Sequence, residues 1–186
     1  FHFVLMDYRM PAMDGVEAAA AIKNNINLSY IPHVILVSAY HRDEISSADN
    51  YALNVDEFLS KPVSEARLLE TISSVISKDD YLQSISAVNL ESSEQDAILK
   101  NARVLVAGCG ALGNEIIKNL AMLGIGHIFV VDMDRVEKSN LTRSILFRKE
   151  DEGRSKAVVA KEGARHINDE IDVRAFDGNI FNLGLG

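Results

Sequence analysis

"RVLVAGCGALGNEIIKNLAMLGIGHIFVVDMD", residues 103–134, decides the fold. "RVLVA" is a continuous apolar run, the mark of a strand buried on both faces of a parallel sheet. Gly108, Gly110 and Gly113 follow as G-x-G-x-x-G. Ile116, Ile117, Leu120 and Leu123 then give a helix an apolar inner side, and Gly124 ends it. "HIFVVD" is a second buried strand, and its last residue, Asp132, lies 19 residues after Gly113. Strand, glycine turn, helix, strand and acid, in that order, form a nucleotide-binding unit. The glycines let the backbone approach phosphates, and the helix N-terminus offers free N–H groups and a positive dipole end. The pattern leaves the nucleotide open: NAD is the usual occupant, and FAD and S-adenosylmethionine use similar turns.

The next stretch narrows the choice. "VVDMDRVEKSNLTRSILF", residues 130–147, places Asn140 and Arg143 just after the acid. Hydride transfer gives no reason for that pair. Phosphate chemistry does, because Arg143 can fork onto phosphate oxygens and Asn140 can donate one more hydrogen bond. "EDEGRSK" adds Lys156 at the start of the helical run "SKAVVAKEGARHI". A solvated helix lysine is the alternative for Lys156.

Upstream, the chain alternates β-α-β-α-β-α, which predicts α/β with a parallel sheet. "FVLMD" (3–7), "HVILVS" (33–38) and "EFLSKP" (57–62) are the strands. "GVEAAAAIK" and residues 43–52 are helices, and Ser64 caps a third with Leu68, Leu69, Ile72, Val75 and Ile76 inward. Ligands gather at the carboxyl ends of such strands, where Asp7, Ser38 and Lys61 sit. An acid, a hydroxyl and an ammonium on one edge suit an acyl-phosphate site, with Asp7 as nucleophile.

Composition bounds the rest. The 186 residues are 47% hydrophobic and 25% charged, enough for a buried core. No run of about 18 apolar residues predicts a membrane span, and no signal peptide is evident. The single cysteine, Cys109, excludes an internal disulfide, so a cytoplasmic setting is expected. Residues 1–80 carry six Lys/Arg against twelve Asp/Glu, whereas 103–186 carry twelve of each. That asymmetry predicts two modules, and neither half is basic enough to bind nucleic acid by bulk charge. The expected division is 1–80, a linker over 81–101 whose end, "ESSEQDAILKN", reads as a helix capped by Ser92 or Ser93, and 102–186. The start at Phe1 and the end in "NLGLG" read as a piece of a longer protein.

Two resemblances sharpen this. "VLMDYRMPAMDG", "VILVSA" and "DEFLSKP" resemble the CheY-like receiver domain of response regulators over about residues 1–78. The resemblance implies that Asp7 is the phospho-acceptor, that Ser38, Phe58 and Lys61 form the switch, and that a sensor histidine kinase is a partner. It also implies a Mg²⁺ site made by Asp7, the Arg9 carbonyl and an acidic pair that would precede Phe1. In the flavodoxin-like order the strand carrying that pair is central. An uncovered apolar edge on strand 3–7 and a poor metal site are therefore expected.

"LKNARVLVAGCGALG", "VVDMDRVEKSNLTRSILF" and "GRSK" resemble, in order and spacing, the ThiF/HesA/MoeB family, relatives of the ubiquitin-activating enzymes, over about residues 98–180. The implied activity is adenylation of a C-terminal carboxylate with ATP and Mg²⁺, usually on a ubiquitin-fold protein ending in Gly-Gly. Gly108, Gly110 and Gly113 would line the nucleotide loop, and Asp132 would hold the ribose with Asp134 beside it. Asn140, Arg143 and Lys156 would surround the triphosphate, Arg143 and Lys156 as the catalytic cations. Ala111 departs from the family's second paired glycine. The family's thioester cysteine, zinc pairs and later metal-binding Asp would follow residue 186. The implied fold is a partial flavodoxin-like receiver followed by a Rossmann-like adenylating domain, each with a parallel sheet. A homodimer is among the assemblies expected. The competing readings are a signalling protein whose second domain only binds a nucleotide, and an NAD-binding oxidoreductase, against which the SNLTR and GRSK segments count.

Overall fold

The apolar runs pair in parallel, and they pair across the predicted boundary. The computed structural model describes residues 1–10, 14–39, 54–78 and 94–179. In chain order these form β1 (Phe3–Asp7), α1 (Gly15–Lys23), β2 (His33–Ser38), β3 (Glu57–Ser60), α2 (Glu65–Ile76) and α3 (Glu94–Asn101). They continue with β4 (Arg103–Ala107), α4 (Ala111–Met122), β5 (His127–Asp132), α5 (Lys156–Ile167) and β6 (Asp172–Asp177). Short 3-10 turns occupy Lys138–Asn140 and Lys149–Asp151. The helix predicted over 43–52 and the caps predicted at Ser92 and Ser93 lie outside the described residues. Among the described residues, no helix is long and apolar enough to cross a membrane.

Among the described residues, all six strands lie in one parallel sheet, in the order β3-β2-β1-β4-β5-β6. This is the doubly wound order, in which the chain winds outward in both directions from a central switch point. Here the switch point falls between β1 and β4. The edge of β1 expected to be bare is therefore covered. Phe3 pairs with Val104, and the register runs through to Met6 with Ala107. The reason is general: an apolar strand with an open row of N–H and C=O groups is a template for any strand that can reach it.

The alternation along each strand divides the core in two. Phe3, Leu5, Ile35, Val37, Val104, Val106, Ile128 and Val130 face α2, α3, α4 and α5. Val4, Met6, Val34, Leu36, Leu105 and Val131 face the side that carries α1. Local signals set the helices. Asp14 and Glu17 form a capping box at α1, with Asp14 Oδ1 accepting from the Val16 and Glu17 amides at 2.9 and 2.8 Å. Ser64 accepts from the Arg67 amide at the start of α2. Gly124, at φ +73°, ends α4. Between the two halves of the chain, Asn119 of α4 donates to the Val63 carbonyl at 3.0 Å, a buried hydrogen bond. The His2 amide donates to the Arg103 carbonyl at 2.8 Å.

One ion cluster pins the β2–β3 edge. Asp56 accepts from the Val34 amide at 2.7 Å, pairs with Lys23 Nζ at 2.7 Å and faces His33 Nδ1 at 3.3 Å. Burial works to raise its pKa, but the His33 ring, the Lys23 ammonium and the Val34 N–H together outweigh burial and hold it at about 2. A folded pKa below the unfolded one gives stability that is complete above the unfolded value. That stability is lost as pH falls from there through the folded value. Asp56→Asn is therefore expected to cost about 2 kcal/mol at pH 7 and close to nothing near pH 2. Urea unfolding of both proteins at the two pH values checks this, and an equal cost at both would refute an ionic origin.

Candidate functional site

The glycine loop is built by two constraints. Gly108 turns the chain out of β4 at φ +94°, a conformation that side chains disfavour, while its N–H donates to the Val131 carbonyl at 2.8 Å. Gly113, on the first turn of α4, lies so close to the Gly108 carbonyl that a Cβ there would collide with it. Between them, Gly110 is the N-cap of α4 and has no capping side chain, and the space above it is open. Among the described residues, the first-turn N–H groups of α4 therefore face an open cavity with the positive end of the helix behind them.

Asp132, at the end of β5, reaches across to this loop. Its Oδ2 accepts from the Cys109 amide and its Oδ1 from the Asp134 amide at 2.8 Å. The two bonds fix the carboxylate beside the glycine turn. Cys109 is fully buried, and burial followed by the Asp132 charge pushes its thiol pKa up. It is a packed loop residue, not a thiolate nucleophile.

The loop after β5 sorts the three polar residues differently. Arg143 is exposed and lines the cavity in front of the glycine loop. Among the described residues, no ion pair holds its guanidinium. Asn140 is buried in its own turn, where its Oδ1 accepts from the Glu137 backbone N–H at 3.0 Å and the Glu137 carboxylate in turn accepts from the Asn140 backbone N–H. Lys156, also buried, pairs with Asp134 Oδ2 at 2.8 Å. Neither Asn140 nor Lys156 lines the cavity.

A residue that the sequence pattern did not single out ties these pieces together. Asn114 is buried, and its Nδ2 donates to the Cys109 carbonyl at 2.8 Å and the Gly110 carbonyl at 3.1 Å. Its Oδ1 accepts from the Leu146 amide at 3.0 Å. One side chain thus locks the glycine loop to the segment that carries Arg143. The signal available in sequence was an amide three residues before Ile117, one helical turn from the apolar stripe of a helix.

The strand ends of the first half open on the same volume. Asp7 Oδ2 pairs with Lys61 Nζ at 2.8 Å, and Asp7 Oδ1 accepts from the Arg9 amide at 3.3 Å. Ser38 is buried at the end of β2, and its carbonyl accepts from the Lys61 amide at 2.8 Å. Phe58 packs against the core on the α1 side. Asp7, Arg9 and Lys61 line one cavity of about 660 Å³ together with Gly108, Gly110, Gly113, Asp132, Asp134 and Arg143, whereas Ser38 and Phe58 do not line it. The cavity sits at the switch point, over the carboxyl ends of β1, β4 and β5. A second cavity, of about 670 Å³ and lined by Lys118, Ile145, Arg148 and Glu162 among others, includes none of the glycine loop.

These residues do not by themselves fit a Mg²⁺ site. Asp7 is engaged by Lys61 and the Arg9 amide, Asp132 by two amides and Asp134 by Lys156. Among the described residues, no group of three or more His, Cys, Asp or Glu side chains is placed to hold a metal. What the cavity offers is backbone N–H groups, an oriented carboxylate and a free guanidinium. That set suits a phosphate ester attached to a polyhydroxylated group.

The model of the ThiF family matches residues 81–182, and that of the response regulator receiver domain matches residues 1–73. SUMO-activating enzyme subunit 2 of Dictyostelium discoideum is 38% identical over 88 residues, which cover 47% of this chain and 13% of that protein. Ubiquitin-activating enzyme E1 2 of Arabidopsis thaliana is 42% identical over 87 residues, covering 44% of this chain and 8% of that protein. The chain thus matches only a small part of these relatives' length. Among solved structures, E. coli tRNA N6-threonylcarbamoyladenosine dehydratase, TcdA, in complex with ATP is 30% identical over 54% of this chain and 42% of that one, with a TM-score of 0.45.

Proposed function

The chain belongs to the ThiF family, and from that premise we propose that its switch-point cavity binds ATP and that the parent protein adenylates the C-terminal carboxylate of a ubiquitin-fold protein ending in Gly-Gly. The observation that carries the proposal is the uncapped start of α4 at Gly110, with Asp132 held beside it and Arg143 free on the same cavity. Asp132 accepts from the ribose hydroxyls. The N–H groups of the glycine loop receive the α-phosphate. Arg143 takes the charge that moves onto pyrophosphate as the acceptor carboxylate attacks the α-phosphorus and the bond to pyrophosphate breaks. Catalysis of this kind is positioning and charge stabilisation. Asn140 and Lys156 act indirectly: Asn140 shapes the turn before Arg143, and Lys156 anchors Asp134, two residues from the ribose acid.

In the first half, Asp7 is proposed as the phospho-acceptor for a histidine kinase, with Lys61 neutralising the phosphoryl group. The match of residues 1–73 to the receiver model and the 2.8 Å Asp7–Lys61 pair support this.

The chain is expected to bind ATP more tightly than NAD. Arg143→Ala is expected to weaken ATP binding by about 1.5–3 kcal/mol, the worth of a hydrogen bond to a charged group. Calorimetry with both ligands on both proteins checks this, and tighter NAD binding by the wild-type chain would sink the proposal.

A further inference from the structure

We infer that the Asp7–Lys61 pair belongs to the nucleotide site as well as to the receiver edge: Lys61 is a cation for the outer phosphates of a nucleotide seated on the glycine loop, and Asp7 is the carboxylate those phosphates displace. The inference rests on the ATP assignment above.

Topology brings the two together. β1 and β4 are neighbours, with Met6 opposite Ala107, so Asp7 and Gly108 leave the sheet side by side. Neighbouring strands are about 4.8 Å apart, which is short beside a triphosphate chain. Asp7 and Lys61 line the same cavity as Gly108, Gly110, Asp132 and Arg143. Both side chains are partly open to it, at 30% and 32% exposure. A nucleotide held by the Asp132 side and the start of α4 therefore has Lys61 within the volume available to its phosphates.

Charge decides what happens on contact. Lys61 has one carboxylate at 2.8 Å, a single negative charge. The outer phosphates of ATP carry more charge and more acceptor oxygens, and an ammonium binds them as a point charge. The ammonium exchanges Asp7 for phosphate. Asp7 is then left facing like charge, so it opposes triphosphate binding while Lys61 favours it. Adenosine monophosphate, whose one phosphate rests on the glycine loop, does not reach the pair.

The test is calorimetry on the full 186-residue chain with ATP and with AMP, with no divalent cation added. Lys61→Met is expected to weaken ATP binding about tenfold and AMP binding less than twofold. Asp7→Asn, which frees Lys61 and removes the repelling carboxylate, is expected to strengthen ATP binding about threefold or more and to leave AMP unchanged. Equal weakening of both ligands by Lys61→Met would mean a structural role for the lysine and overturn the inference, as would unchanged ATP binding in both variants. If those variants are silent while Arg143→Ala still weakens ATP binding, the inference fails and the ATP assignment stands. If the wild-type chain binds neither nucleotide, both fail.

Discussion

Gly113→Ala is expected to lower the melting temperature by about 6–12 °C and to weaken ATP binding about a hundredfold. The added Cβ would collide with the Gly108 carbonyl, which is backbone and cannot rotate away like a side chain. Gly108 cannot retreat either, because its N–H is held by Val131 and its φ of +94° already fixes the turn. Overpacking of a close-fitting interior typically costs about 1–3 kcal/mol, and a backbone collision belongs at the upper end. At about 2–4 °C per kcal/mol for a chain of this size, that gives the stated shift. A displaced loop also misaims two N–H groups at a charged phosphate, each worth at least about 1.5 kcal/mol, which together make the hundredfold loss. Gly110→Ala is the control. Its φ is −66° and nothing lies within 4 Å of the added Cβ, so folding should be untouched while the methyl group enters the ligand's space. Differential scanning calorimetry and ATP titration of both variants separate the cases. A Gly113→Ala protein with wild-type melting and binding would show that the loop is not held as described.

What could be read in sequence was what local pattern controls. The strands 103–107 and 127–132, the helix between them and the turn at Gly108, Gly110 and Gly113 lie within one contiguous stretch, and periodicity and glycine spacing specify them directly. Ser64 and Gly124 were legible because caps are set by one or two residues. The neighbour of β1 was not. A run such as "FVLMD" is apolar on both faces, so it declares burial but carries no mark of which strand it pairs with. The strand missing from the flavodoxin-like order predicts a bare edge on β1, whereas the structure places β4 there. The same limit applies at the site. Asp132 was legible from its spacing to Gly113. That Asn140 is occupied within its own turn, and that Lys156 is paired to Asp134, are contacts across a folded loop that no linear spacing encodes. The shared cavity of Asp7, Lys61 and the glycine loop follows from the unread β1–β4 pairing and was hidden with it.

Asn114→Ala is expected to destabilise the chain by about 2–4 kcal/mol and to uncouple Arg143 from the nucleotide. Three hydrogen bonds leave with the amide: those to the Cys109 and Gly110 carbonyls and the one from the Leu146 amide. Water cannot replace them fully, because Asn114 is buried at 1% exposure. A buried backbone group left without its partner costs about 1–3 kcal/mol, and here the Leu146 N–H and the Cys109 carbonyl are both stranded. Asn114→Asp is not a rescue. It can still accept from Leu146, but it sets a carboxylate against two carbonyl oxygens, so it should be at least as unstable as the alanine variant. The functional consequence follows from position. Leu146 lies three residues after Arg143, and its bond to Asn114 is the tie between that segment and the glycine loop. With the tie cut, Arg143 no longer has a fixed relation to the phosphates, and removing it should matter less. A double-mutant cycle on ATP affinity reads this directly. Arg143→Ala is expected to cost about 1 kcal/mol less in the Asn114→Ala background than in the wild-type chain, the coupling typical of groups acting through one network. Strictly additive losses would mean that Asn114 supports the fold alone and that Arg143 is positioned by some other contact.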